Sequence, residues 1–593
     1  MKIKYLLFSF LYFSFLTSAQ MYVSPNSYVY VQNEYITVTG NINLNDATSN
    51  IYLRNDGQLL QKTTGTGANE GMGDLSVYQE GTVNNFQYNY WGSPVGNTLV
   101  NSTINRPFGI SQLKKVTGVT TFTNPDLLNA TMLDGTDSPS YAIAQRWIYT
   151  YNAGTTYSQW DYVGNANIIN PGEGFTMKGT TAGSSQQYDF RGKPNDGTID
   201  VAVLNGQQTL VGNPYPSAID LRIFLSDNPN IDGNALFWEH DKTANSHLVA
   251  QYRGGYGAYN GVSDLYNPAV YISYNADGSP GTNSSPSNTN AFKRRFSPVG
   301  QGFMVRGIAN GNVQFKNSQR VYVKEAVANN SQFEKNTTTV ASKSNFYETI
   351  PNVAGLDYTI QSRLETPHIK LKTMLANGAI RQNNLVFMEN AIDGFDGADV
   401  KSVDIENNLP FDVYFQLLNT EFVQTATTFD INKKFAIGFK NNAPTTFRMR
   451  VSEMVNFTGA SQVYLHDLET DLFHDILNAD YNLTLPTGVH NNRFEITFQS
   501  NALSVPEDLN LIYAVFQNNE SSLLTISNPT LMDLKAIALY DITGKLVLSK
   551  NSVGANSKYE YNTSGFAEGI YIVKLTTTNN QELVKKVSIY NKK

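Results

Sequence analysis

The chain has 593 residues, a formal net charge of −7 and no cysteine, with 35 Tyr, 32 Phe and 44 Gly. That length predicts several domains, each able to bury a core. An acidic balance without a basic stripe excludes a general nucleic-acid binder, and the absence of thiols excludes disulfides and thiolate chemistry.

Abundant Tyr, Gly and β-branched residues with few charges predict an all-β, multidomain protein built of β-sandwich modules. At the start, Lys2 and Lys4 precede an apolar run from Tyr5 to Leu16, followed by the small residues Thr17 and Ala19. This reads as a cleaved signal peptide over 1–19, because the run is shorter than the ~20 apolar residues a membrane span requires. A β-rich segment is expected over 20–85, where "YVYVQNEYITVTGNINL" and "NIYLRNDGQLL" look like strands and Asp56-Gly57 suggests a hairpin turn.

Two β-rich repeat units are predicted next, over 86–200 and 201–323. The first carries "YNYWGSPVGN" from Tyr88, "RWIYTYN" from Arg146 and "INPGEGFTMKG" from Ile169. The second carries "TLVGNPYPSAIDL" from Thr209, "ALFWEHD" from Ala235 and "SPVGQGFMVRG" from Ser297. Shared order and chemistry indicate a duplicated unit. Its Gly, Pro and aromatic landmarks fit tight corners and core filling better than a site.

Polar, aperiodic text suggests a linker over 324–345. Strict alternation then returns in "HIKLK", "TFRMRVSE" and "RFEITFQ", predicting an antiparallel β-sandwich over 346–500. A second linker is expected over 501–511, and a small separate β-sandwich over 512–593. In "GIYIVKL" both faces read as apolar, as in a strand covered on each side.

This last segment holds Asn528-Pro529, Tyr540-Asp541 with Gly544-Lys545, the strand from Gly569 through Tyr571 and Val573 to Lys574, and a closing strand with Lys585-Lys586. In that order these residues resemble the type A C-terminal sorting domain of the type IX secretion system, found in Bacteroidetes. The resemblance implies an Ig-like fold and export through the periplasm to the cell surface or medium. It also implies recognition by the outer-membrane translocon and its shuttle, and removal by a sortase cutting near Ser504–Asn510. Release and attachment to surface lipopolysaccharide both remain open.

No catalytic motif stands out: Gly-x-Ser-x-Gly and His-Glu-x-x-His are both missing. His466 and His474 lie among acids in "LHDLETDLFHDIL", which reads as a polar hairpin before it reads as a metal site. No organic cofactor is called for. Asp393, Asp396 and Asp399 step through a Gly-containing loop that reads first as an ordinary turn and second as a calcium site. Tyr252, Tyr256 and Tyr259 sit among glycines in "QYRGGYGAYNG", which reads first as a long loop whose tyrosines fold back on the sheet and second as exposed rings that stack on a sugar or anchor a partner. The leading expectation is a non-enzymatic, adhesin-like protein of the cell surface or medium that binds polysaccharide or protein. The alternatives are a polysaccharide-active hydrolase and a structural part of a surface or gliding apparatus.

Overall fold

A computed structural model describes residues 20–63, 67–98, 103–183, 186–285, 294–325, 344–375, 378–402, 409–500, 513–578 and 581–590. The signal peptide, the core of the first linker, and the second linker with its expected cleavage region lie outside these residues. The protein is all-β and multidomain; among the described residues its one α-helix is Leu221–Asp227. The chain divides into two compact units, Met1–Gln499 and Ser500–Lys593.

At the start of the first unit the strands pair differently from expectation. Asp56-Gly57 does not close a hairpin, because the flanking strands belong to different sheets. Asn50–Arg54 pairs in parallel with Tyr28–Gln32 and with Asp74–Glu80, while Gln58–Gln61 pairs in parallel with Tyr35–Val38. Met21–Val23, Ile42–Leu44 and Glu70–Gly71 form a third parallel stack. The chain therefore coils as a short parallel solenoid, each turn resting on the one before. Asn55 and Asp56 both take positive φ and make a corner of that coil. Val31, Ile51, Leu53, Leu75 and Val77 stack inward and bury its centre.

The repeats are then built on one strand plan. In the first, Asp74–Glu80 pairs antiparallel with Gln187–Pro194, and Tyr88–Trp91 with Phe175–Lys178. In the second, Ile199–Val203 pairs with Gly311–Phe315, and Gln208–Gly212 with Gly302–Arg306. The repeats also interlock. Trp91 bridges to Gln301 and Val211 bridges to Glu173, so each corner strand lies against the other repeat's Gly-x-Gly-Phe turn. Gly92 donates its N–H to the Gly300 carbonyl at 2.8 Å, and Gly212 donates to Gly172 at 2.9 Å. Gly172 and Gly300 have φ of +84° and +71°, which suits glycine.

From His368 to Thr497 one largely antiparallel sheet rolls onto itself; the Ile380–Phe387 and Thr420–Thr427 pair is its parallel exception. Its two halves face each other, shown by the Phe439 and Phe447 rings 5.2 Å apart on strands distant in the sheet order. Phe447, Met449 and Val451 point into the core and Arg448 and Arg450 point out, as their alternation predicts. Val270 and Ile272, from the second repeat, complete this core.

The second unit has a three-stranded and a four-stranded sheet around one apolar cluster. Its strand Gly569–Thr577 departs from expectation: Tyr571, Val573 and Leu575 are buried, whereas Ile570 is 43% exposed. Only one face is covered.

The meeting of the two corner glycines is a sharp test of this architecture. A Cβ on Gly92 would lie 2.6 Å from the Gly212 carbonyl carbon, and one on Gly212 would lie 2.4 Å from the Gly92 Cα. Gly92→Ala is expected to destabilise the unit by about 3 kcal/mol through forced backbone separation. Gly109→Ala, at extended backbone with its nearest atom 3.8 Å away, should leave the thermal midpoint nearly unchanged. Melting curves of the two variants make the comparison.

Candidate functional site

Strand His368–Met374 turns alternate residues to opposite sides. Ile369 and Leu371 enter the core, while His368, Lys370 and Lys372 face a cavity of about 140 Å³. Gln382 and Asn384 lie opposite Lys372 and Lys370 on the next strand and extend the same floor. The walls come from the second repeat and the segment after it: Tyr259, Asp264, Tyr266, Arg294, Arg295, Tyr347, Arg363 and Glu365.

The cavity has a basic lining in an acidic protein. Arg294, Arg295, Arg363, Lys370 and Lys372 face three carboxylates, Asp264, Glu365 and Glu453. Arg295 anchors one wall. Its guanidinium lies 2.9 Å from Asp220, 3.7 Å from Asp264, and donates to Gln361 at 2.6 Å. Burial opposes the charge, but Asp220 and Asp264 hold Arg295 above its ordinary pKa. Asp220 is itself fixed as the N-cap of the short helix and as acceptor from the Tyr358 hydroxyl at 2.9 Å. Burial raises the Asp264 carboxyl although Arg295 opposes the shift, and Tyr259 donates to it at 2.7 Å.

On the floor, Lys370 bridges Glu453 at 2.9 Å and Glu365 at 3.6 Å. Lys372 makes no ion pair among the described residues; burial, then its neighbour Lys370, lowers its pKa. His368 is fully buried, and its Nδ1 lies 2.6 Å from the Thr366 carbonyl. That contact places the ring proton on Nδ1 and leaves Nε2 as a base. Nε2 has no hydrogen-bond partner, with the nearest Glu365 oxygen at 3.8 Å. The arrangement offers an anion several cations, with a buried neutral imidazole beneath them.

The residues singled out from sequence fall elsewhere. Tyr252, Tyr256 and Tyr259 are 8%, 5% and 1% exposed, as rings folded back on the sheet are, which corrects the second reading of exposed stacking rings. Their neighbouring glycines admit aromatic neighbours instead: a Cβ on Gly257 would strike the Tyr266 hydroxyl, and one on Gly254 the Trp238 ring. Tyr256 and Tyr90 share a hydroxyl contact at 2.8 Å, and only Tyr259 reaches the cavity wall.

The loop aspartates spend their oxygens on protein donors. Asp393 binds Lys433 and accepts from Thr427, Asp396 accepts from Ile392 and Ala398 amides, and Asp399 accepts from Asp396 and Ala426 amides. Among the described residues no group of three or more His, Asp or Glu converges to hold a metal ion. Tyr464–Asp467 and Leu472–Asp475 pair as a hairpin, with His466 between Glu495 and Asp471 at 2.7 and 2.9 Å.

In the C-terminal unit, Asn528 is buried and its side chain bonds Met532 and Asn556, bracing the corner before Pro529. Asp541 caps the Tyr540–Lys545 hairpin through the Thr543 and Lys545 amides, with Gly544 at φ +86°. Tyr571 and Val573 are core, Tyr571 donates to Ala567, and Lys574 pairs with Glu582 at 2.7 Å. Lys586 is exposed and Lys585 half-buried on the closing strand, which runs beside the one that starts at Gly569.

Comparisons with known proteins bear on both units. The family described as "Domain of unknown function (DUF8693)" matches residues 135–498, and "Secretion system C-terminal sorting domain" matches residues 514–590. No curated protein matches the chain. Among solved structures, a DUF3244 family protein with an immunoglobulin-like β-sandwich fold from Bacteroides vulgatus ATCC 8482 is 20% identical over 13% of this chain and 85% of its own, at TM-score 0.12. A polysaccharide lyase is 9% identical over 39% of this chain and 40% of its own, at TM-score 0.11. The BSP domain of a biofilm-associated protein is 9% identical over 75% of this chain and 87% of its own, at TM-score 0.12. Likenesses at this level bear on neither ligand nor activity.

The buried imidazole gives the cavity a pH signature. Burial depresses the His368 pKa although the Thr366 carbonyl opposes it, so below the ordinary imidazole value of ~6.5 the unfolded chain binds a proton that the native chain refuses. This contribution to stability is complete above that pH and is lost as the pH falls through it. Urea midpoints measured from pH 7.5 to 5 should drop less in His368→Gln than in the parent.

Proposed function

This chain belongs to the DUF8693 family and carries a type IX secretion C-terminal sorting domain, which marks it as secreted or cell-surface cargo; from that premise we propose that it is a non-enzymatic binding protein taking an anionic group in the basic cavity. The ligand class is an acidic polysaccharide, whose carboxylates or sulfates pair with Lys372 and are drawn in by the cations around it. The single supporting observation is the excess of cations around a concave floor, including Lys372, which has no ion-pair partner among the described residues.

The hydrolase alternative finds less support in the same lining. A glycosidase requires two carboxyl groups, one of them held protonated by its surroundings. Glu365 and Glu453 both bind the Lys370 ammonium, a setting for two anions, and Asp264, the carboxyl that burial raises, is taken up by Arg295 and the Tyr259 hydroxyl.

Binding is tested on the full secreted chain by calorimetry with polygalacturonate, chondroitin sulfate and a neutral glucan. The acidic polymers should bind, the neutral one should not, and affinity should fall as salt rises. Lys370→Met with Lys372→Met should weaken binding by about 10- to 100-fold, the weight of one or two charge-assisted hydrogen bonds. Equal binding of neutral and acidic chains, or an unchanged double variant, would reject the reading.

Export is tested separately. A chain ending at Gln499 should stay in the periplasm, shielded from protease added to whole cells, while the full chain becomes protease-accessible at the surface or reaches the medium, by immunoblot of the fractions. Appearance of the truncated chain in the medium at parental levels would remove the sorting role from the C-terminal unit.

A further inference from the structure

A second cluster, away from the basic cavity, joins three loops and strands around one amine. Lys178 ends strand Phe175–Lys178 of the first repeat and is only 5% exposed. Its Nζ lies 3.1 Å from His247 Nδ1 and 3.8 Å from the centre of the Trp147 ring, with the Tyr88 ring at 4.8 Å. His247 Nε2 lies 2.8 Å from Asp134 Oδ1, and the same oxygen accepts from Asn85 at 2.5 Å. The imidazole stacks on Trp147 at 5.4 Å with an 8° interplanar angle.

The hydrogen bonds set the tautomer. Asp134 accepts the Nε2 proton, leaving Nδ1 as a lone pair aimed at the lysine nitrogen. A nucleophile within hydrogen-bond reach of a base, itself oriented by a carboxylate, is the general arrangement of an activated nucleophile. The cluster also reaches solvent, since the Asp134 side chain is 46% exposed and that of His247 15%, and Phe86, Tyr88 and Trp147 around it are half-buried. At the corresponding end of the matching strand the second repeat has Arg306, which cannot supply a neutral amine, so the site is not a by-product of the duplicated plan.

We propose that Lys178 is a reactive amine that condenses with an aldehyde, such as the open-chain form of a reducing sugar, with His247 moving the proton and Asp134 orienting His247. The amine nitrogen attacks the carbonyl carbon and forms a C–N bond. Nδ1 of His247 carries a first proton from the nitrogen to the former carbonyl oxygen, giving a hydroxyl, and then a second from the nitrogen to that hydroxyl, which leaves as water as the C–O bond breaks. One aldehyde and the one primary amine thus give one imine and one water, and no oxidant or reductant is needed. Burial, with Arg146 adding to it and Asp134 opposing, brings the Lys178 pKa down to about 7. A large fraction of this amine is therefore neutral where an ordinary lysine is about one part in a thousand neutral.

The test is reductive trapping on the full secreted chain with D-glyceraldehyde and sodium cyanoborohydride, followed by peptide mapping across pH 6 to 10. Lys178 should be labelled at least ~10-fold faster than the median lysine at pH 7, with a midpoint near 7 in its rate profile. His247→Gln and Asp134→Asn should each slow labelling at Lys178 by ~10-fold with other lysines unchanged. Near-UV circular dichroism checks the fold, and Asp134→Asn serves alone where His247→Gln disturbs it. Labelling of native Lys178 no faster than the median, a midpoint near that of an ordinary lysine at ~10, or unaltered rates in both folded variants would each overturn the proposal.

Discussion

The first unit depends on two glycines meeting face to face. Gly92 and Gly212 approach so closely that neither tolerates a Cβ. That contact lets the corner strand of each repeat reach across and bond the other repeat's turn, through the Trp91–Gln301 and Val211–Glu173 bridges. Any side chain there would push the backbones apart and break the reciprocal pair of amide bonds from Gly92 to Gly300 and from Gly212 to Gly172. Close backbone approach, rather than side-chain complementarity, is what makes two similar segments into one body.

The segment that follows the repeats is tied to them by buried polar contacts as well as by the Phe296, Tyr347 and Tyr358 rings. Asp220, held at the start of the helix, gathers Arg295 and Tyr358, and Arg295 in turn gathers Asp264 and Gln361. This ties the segment around Tyr347–Gln361 to the second repeat and sets the upper wall of the cavity. Losing Arg295 would leave Asp220 buried without its cation, a cost of about 3–5 kcal/mol, whereas the pair itself adds little beyond an apolar equivalent. Its value lies in orientation: it fixes charged groups of the wall above a floor whose strand, His368–Met374, comes from the rolled sheet.

Much of the fold was legible because it obeys short-range rules. The alternation of Phe447, Met449 and Val451 against Arg448 and Arg450 gave the strand and its faces directly. The Gly-x-Gly-Phe echo gave the duplication, since a positive φ and a close approach each require glycine. Reading failed where the same local text serves two geometries. Asp56-Gly57 suits a hairpin by its own chemistry, yet parallel coiling is decided by contacts with strands a full coil away, Tyr28–Gln32 and Asp74–Glu80. The text "QYRGGYGAYNG" looked like a loop because glycines usually mark one, which left its tyrosines free to be read either way; here the glycines lie in a strand, making room for rings from neighbouring strands.

Neither cluster was visible as a motif. "HIKLK" announced a strand, and its apolar residues drew the attention; its other face, His368, Lys370 and Lys372, becomes a site only when Arg294, Arg295 and Arg363 are brought above it. Lys178, His247 and Asp134 are likewise assembled from both repeats, so their meeting depends on the same interlock that the two glycines permit. The clusters nonetheless follow opposite electrostatic logic. In the cavity, several cations are gathered together and only partly offset by carboxylates, which favours an incoming anion. At Lys178, burial and Arg146 work against the ammonium, which favours a neutral amine. The two proposed sites share no residue, so substitutions at Lys372 and at Lys178 should leave each other's measurement untouched.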